Sequence, residues 1–127
     1  MLPFTIEIIA GGPIAEQIVF AVKRAVVSGQ LRAGDKFPSV RALSQELRIN
    51  PNTAHRVVGQ LVEQGVLVAT PAVGTVVAAT SAGGKAEKSG LLGAELEKLV
   101  VEAKRLGVPL EQVQRALEKH WRELEKE

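Results

Sequence analysis

The sequence predicts a mainly α-helical protein with one small β-hairpin. Helices and hairpin make an N-terminal domain over residues 1–79, and a two-helix segment over 91–127 follows a linker at 80–90. Three observations predict this. Apolar residues recur at helical spacing in five separate segments. Two short β-type runs flank Thr70-Pro71-Ala72-Val73-Gly74, which is a hairpin signature. Residues 80–90, TSAGGKAEKSG, have the composition of a flexible linker.

Residues 4–10, FTIEIIA, are rich in β-branched side chains and predict a short strand ended by Gly11-Gly12-Pro13. From Ile14 to Ser28 the positions Ile14, Ile18, Val19, Val22, Ala25 and Val26 fall along one face, so an amphipathic helix is expected, with Gly29 as its stop. Residues 29–38 read as a loop turning at Gly34-Asp35. Ser39 is placed as the N-cap of a short second helix, in which Val40, Leu43 and Leu47 share one side. A third helix is expected from Pro51 to about Gln64, with Gly65 behind it, and then strands at 66–69 and 75–79. Beyond the linker, Leu92, Leu96, Leu99, Val100, Ala103 and Leu106 form a helical stripe ended by Gly107. Pro109 starts a last helix with the stripe Leu110, Val113, Leu117, Trp121 and Leu124.

Helix, short helix, turn, helix, then hairpin is the order of a winged helix-turn-helix. In such a unit the helix after the turn commonly enters the DNA major groove. Winged-helix units also serve as protein-docking modules, so a protein-interaction adaptor with little DNA affinity is the alternative. Within RINPNTAHRVVGQL, Asn50 is a favoured N-cap and Pro51 falls at the first helical position, where its missing N–H costs nothing. At about 100° per residue, Ala54, Val57, Val58, Leu61 and Val62 cluster on one side of this helix. Asn52, Arg56, Gly59 and Glu63 point nearly the opposite way, with Thr53, His55 and Gln60 on the flanks.

Asn and Arg make bidentate bonds to adenine and guanine edges, and Thr and His bond bases or phosphates. Gly59 removes bulk one turn further on. Read plainly, the same residues form a polar surface turn, with Asn52 serving in local capping. The segment GDKFPSVR places Ser39 and Arg41 at a helix N-terminus, where free N–H groups and the positive dipole end attract anions. Phosphate contact and simple capping both fit that arrangement.

Charge favours the contact. Between residues 23 and 56 seven Lys/Arg (Lys23, Arg24, Arg32, Lys36, Arg41, Arg48, Arg56) face only Asp35 and Glu46, whereas from Gly90 onward seven Lys/Arg meet eight Glu. A basic excess confined to one third of a chain whose formal charge is only +2 is the footprint of a polyanion contact. The 46% hydrophobic content supplies a core, and with aromatics at 3% that core must be Val, Leu, Ile and Ala. The absence of cysteine excludes disulfides, thiolate metal sites and Cys nucleophiles, and fits a reducing compartment. No apolar run approaches ~18 residues, and MLPFTIEIIAGG lacks the features of a signal peptide. A soluble, cytoplasmic protein is expected.

The stretch GQLRAGDKFPSVRALSQELRINPNTAHRVVGQLVEQGVLVATPAVGTVV, with PIAEQIVFAVKRAVVSG before it, resembles the N-terminal domain of the GntR family of bacterial transcription regulators. PSVR, NPNT, EQG and GT occur in order over roughly residues 3–79. The short C-terminal part is similar to the YtrA-type subfamily, which lacks a large effector domain. The resemblance implies a dimeric winged-helix repressor on a near-palindromic operator. By position it places the arginine of the family's PSxR motif on Arg41, the polar contacts at the start of the recognition helix on Asn52 and Thr53, the next contact on His55, and the wing-tip glycine on Gly74.

Two departures stand out. His55 occupies a position where most members carry Arg, with Arg56 following at a more outward angle. Thr70-Pro71-Ala72-Val73-Gly74 carries no charge where most wings are basic, which implies a smaller salt slope.

The DNA-contacting residues expected are thus Ser39, Arg41, Asn52, Thr53, His55, Arg56 and Gly74. The C-terminal stripes must be buried, either against the winged helix or against a second copy of the segment. Pairing is favoured, through Leu92, Leu96, Leu99, Leu106, Val113, Leu117, Trp121 and Leu124, because a dimer fixes the spacing of two reading helices. Trp121 reads as a core anchor and His120 as a surface or interface residue, in preference to a ligand pocket. His55 and His120 lie far apart, and no nucleophile elbow, phosphate loop or zinc-helix motif is present. No enzyme activity, cofactor or metal is expected. The partners expected are double-stranded DNA and a second copy of the chain, with a small-molecule effector allowed for and no membrane.

Overall fold

The computed structural model describes residues 2–79 and 83–125. Residues 80–82 of the expected linker, and residues 1, 126 and 127 at the ends of the expected domains, lie outside the described residues. The described residues form two compact units, the first over residues 2–79 and the second over 83–124.

The first unit contains α1 (Ile14–Val27), α2 (Val40–Leu47), α3 (Pro51–Glu63), β1 (Leu67–Thr70) and β2 (Gly74–Val77). α1 buries Ile18, Val19, Ala21, Val22 and Ala25, a stripe at helical spacing. That face meets Leu43 of α2, Ala54, Val57 and Leu61 of α3, and Leu67 and Val77 of the hairpin in one core. α3 packs against α1, α2 and β1. Its inner face is therefore committed to the fold and its outer face is fixed in direction. Val62, expected in that inner stripe, is exposed, because it lies in the last turn and the chain leaves the helix at Gly65.

The hairpin is antiparallel, with Leu67 opposite Val77 and Thr70 opposite Gly74. Residues 34–37, expected as loop, pair with the outer edge of β2. Lys36 bridges Val76, the Phe37 N–H donates to the Thr75 carbonyl at 2.9 Å, and the Val77 N–H donates to the Asp35 carbonyl at 2.8 Å.

The strand expected at 4–10 is absent. With the edge of β2 taken by 34–37, FTIEIIA is held by side chains instead. The Gln17 amide brackets the backbone of Ile9 at 2.8 and 3.0 Å, Gln30 bonds Thr5, and the Phe4 ring stacks on Phe37 at 5.7 Å.

The second unit is helical: α4 (Lys85–Gly90), a π-helical turn (Leu91–Glu95), α5 (Leu96–Arg105) and α6 (Leu110–Glu123). Residues 85–90, read as linker from their composition, are helical. Lys, Ala and Glu are good helix formers, and the Glu87 carboxylate accepts the Gly84 N–H at 3.4 Å in the first turn. The turn to α6 closes when the Val108 N–H donates to the Ala103 carbonyl at 2.8 Å.

None of this unit's described residues is buried. Ala103, Val108, Val113 and Leu124 are half-covered, while Leu92, Leu106 and Trp121 are 69, 64 and 71% exposed. Among the described residues no helix is long and apolar enough to cross a membrane.

Candidate nucleic-acid interface

The turn between α2 and α3 is built by local rules. α2 starts where Ser39 Oγ accepts the Ala42 N–H at 3.1 Å, so Ser39 is its cap, as expected. The helix ends at Arg48, in the left-handed region with φ 54°. That bend lets the Ile49 N–H donate to the Ser44 carbonyl at 3.0 Å, and the buried Ser44 hydroxyl donates to the Arg41 carbonyl at 2.9 Å. Two residues later Asn50 Oδ1 accepts the Asn52 N–H at 2.8 Å. Pro51 takes the first helical position.

Ala54, Val57 and Leu61 of α3 are 0% exposed, which aims Asn52, His55, Arg56, Gly59, Gln60 and Glu63 at solvent, where all six are exposed. Thr53 is half-buried at the border. His55, Arg56, Gly59, Gln60, Glu63 and Gln64 line one open, shallow patch on the outer face of α3. Asn52 and Thr53 lie at the N-terminal end of the same helix, outside that lining. Gln60 and Gln64 were not among the expected contacts. Gln60 lies on the outer side of α3, four residues from Arg56, and Gln64 is the helix's C-cap.

Arg41 is exposed on the first turn of α2. Gly74 opens β2 with φ +95° and open space where a Cβ would stand. A side chain there would be strained, and the wing tip presents bare backbone. Lys36, also outside the expected set, is exposed on the segment paired with β2 and sets a cation beside the uncharged wing.

Electrostatically the two units differ. Among the described residues the ion pairs run from Glu95–Lys98 to those of Glu123, all in the second unit. None of the seven Lys/Arg between residues 23 and 56 is in one, and all but the half-buried Lys23 are exposed. Cations without internal partners keep their charge available to an external anion. The described residues contain no group of three His, Cys, Asp or Glu able to hold a metal ion.

The family model for bacterial regulatory proteins of the gntR family matches residues 14–77. The chain is 31% identical to the HTH-type transcriptional repressor YtrA of Bacillus subtilis (strain 168), over 80% of this chain and 78% of the relative. A transcriptional antiterminator from Listeria monocytogenes EGD-e has a similar structure, with a TM-score of 0.83 and 28% identity over 95% of this chain and 91% of that one. A GntR family transcriptional regulator from Listeria monocytogenes aligns with a TM-score of 0.65 and 26% identity, over 88 and 98% of the two chains.

Proposed function

Since the chain belongs to the gntR family and is a transcription regulator with a DNA-binding winged helix, we propose that it is a repressor that binds a near-palindromic operator as a homodimer. α3 lies in the major groove, with Asn52, His55 and Arg56 toward base edges and Thr53 at the margin. Ser39 and Arg41 at the start of α2 hold phosphate, and Gly74 lets the wing tip come close to the duplex. The protein acts in the cytoplasm, with the DNA it regulates. Repression follows the name of the YtrA relative.

One observation carries the reading. The outer face of α3 is exposed and carries Arg56, in a unit whose six exposed Lys/Arg between residues 24 and 56 have no internal ion-pair partner in the described residues.

The second unit is the dimerisation element. Its apolar stripes, Leu92, Leu96, Leu99 and Leu106 on the first helical run and Val113, Leu117, Trp121 and Leu124 on α6, contain no fully buried residue. An exposed apolar surface rimmed by charged pairs marks an association site. A second copy supplies matching stripes and sets two α3 helices about one DNA turn, ~34 Å, apart.

The test is footprinting of purified protein on the DNA upstream of its own gene, over a salt series. A two-fold symmetric protected site, with affinity falling steeply as salt rises, is the expected result. No protection at ~0.15 M salt, together with co-purification of a stable protein partner, would replace this reading with that of an adaptor.

A further inference from the structure

Gly59 has no explanation inside the folded chain. A fold requires glycine where φ is positive, where another part of the chain comes too close for a Cβ, or where a helix must kink. Gly59 meets none of these conditions. It lies inside the uninterrupted α3, its φ is not positive, and a Cβ built on it meets nothing within 4 Å. It nevertheless weakens the helix, since glycine is a poor helix former.

Its position is specific. Asn52, Arg56, Gly59 and Glu63 run down the outward side of α3 at spacings of four, three and four residues. Gly59 also belongs to the open patch that His55, Arg56, Gln60 and Glu63 line on the outer face of α3. It lies seven residues, or about 10 Å of helix, beyond Asn52. A helix entering a major groove about 12 Å wide with Asn52 at the base edges reaches the far wall near that point. Four residues later comes Glu63, whose carboxylate repels phosphate, so the helix must have left the groove by then.

We propose that Gly59 is the point where one sugar–phosphate wall of the bound duplex lies against the bare backbone of α3. The missing side chain lets the helix seat deeply enough for Asn52 and Arg56 to reach bases. This rests on α3 being the DNA-reading helix and adds a residue that sets how deep it sits. Gln60 flanks the bare patch with an amide donor suited to phosphate oxygens.

The experiment uses the full chain and a duplex selected by the wild-type protein from a randomised library. Wild type, Gly59→Ala and Gly59→Leu are compared by thermal unfolding and by titration with that duplex. Both variants should melt a few degrees higher than wild type. Affinity should fall about tenfold for Ala, and further for Leu.

Wild-type affinity in either variant overturns the role of Gly59 and leaves the DNA-reading assignment standing. A lower melting point in both also overturns it, because Gly59 would then serve the fold. If the wild-type protein enriches no duplex at all, the DNA-reading assignment itself fails, and this inference fails with it.

Discussion

At the scale of single residues, capping and contact are separable on α3. Asn50 accepts the Asn52 N–H at 2.8 Å, so Asn50→Ala should cost about 1 kcal/mol of stability. A lower urea midpoint at unchanged slope would register that loss. Arg56 has no internal ion pair among the described residues and is exposed on the outer face of α3. Arg56→Ala should leave the melting point in place and relax base preference at one operator position per half-site, by about 1–3 kcal/mol. Arg41 is assigned to phosphate, so Arg41→Ala should weaken binding evenly across sequences and lower the salt slope by about one per protomer. Titration of both variants on matched and mismatched duplexes checks the division, and full affinity in both would remove α2 and α3 from the interface. The roles of Asn50 and Pro51 were legible in the sequence because capping depends on neighbours two or three residues away. The half-burial of Thr53 was not, since it depends on where α1 and α2 press against α3.

At the scale of elements, α3 and the turn that follows it hold two glycines that answer to opposite demands. Gly65 has φ +78° and redirects the chain so that the Val66 N–H donates to the Leu61 carbonyl at 2.9 Å and β1 begins. A β-carbon there meets no neighbour, yet the left-handed backbone is strained for any other residue. Gly65→Ala should therefore destabilise by about 1–2 kcal/mol, read as a lower melting point. Gly59 sits on helical backbone, where alanine is the better residue by about 1 kcal/mol. The two substitutions in and just after one helix should thus move stability in opposite directions. The sequence pattern located all the helices of the first unit and the hairpin, because amphipathic period and turn residues are local signals. It placed a strand at FTIEIIA and a loop at 34–37, and the structure reverses their roles. β propensity only says that a segment suits a sheet, and which segment reaches the edge of β2 depends on the path of the chain between α1 and α2.

At the scale of the whole molecule, the first unit has a closed core and the second unit has no buried residue among those described. Helices of this length draw most of their stability from packing an apolar face, so the second unit needs a covering surface. Leu99 lies mid-stripe and is 49% exposed. Leu99→Lys should yield a monomer by sedimentation with the first unit still folded. Operator affinity should then drop about a hundredfold or more as the second half-site is lost. A dimer that survives the lysine would move the interface elsewhere.

Periodicity, caps and turn residues by themselves determined the winged helix-turn-helix, the outward face of α3 and the basic third of the chain, since each is written in spacings of a few residues. Only the tertiary structure decided that residues 34–37 complete the wing sheet, that Thr53 is half-buried, and that Gly59 has no partner within the fold. Those outcomes depend on which distant segments come together and which space they leave empty.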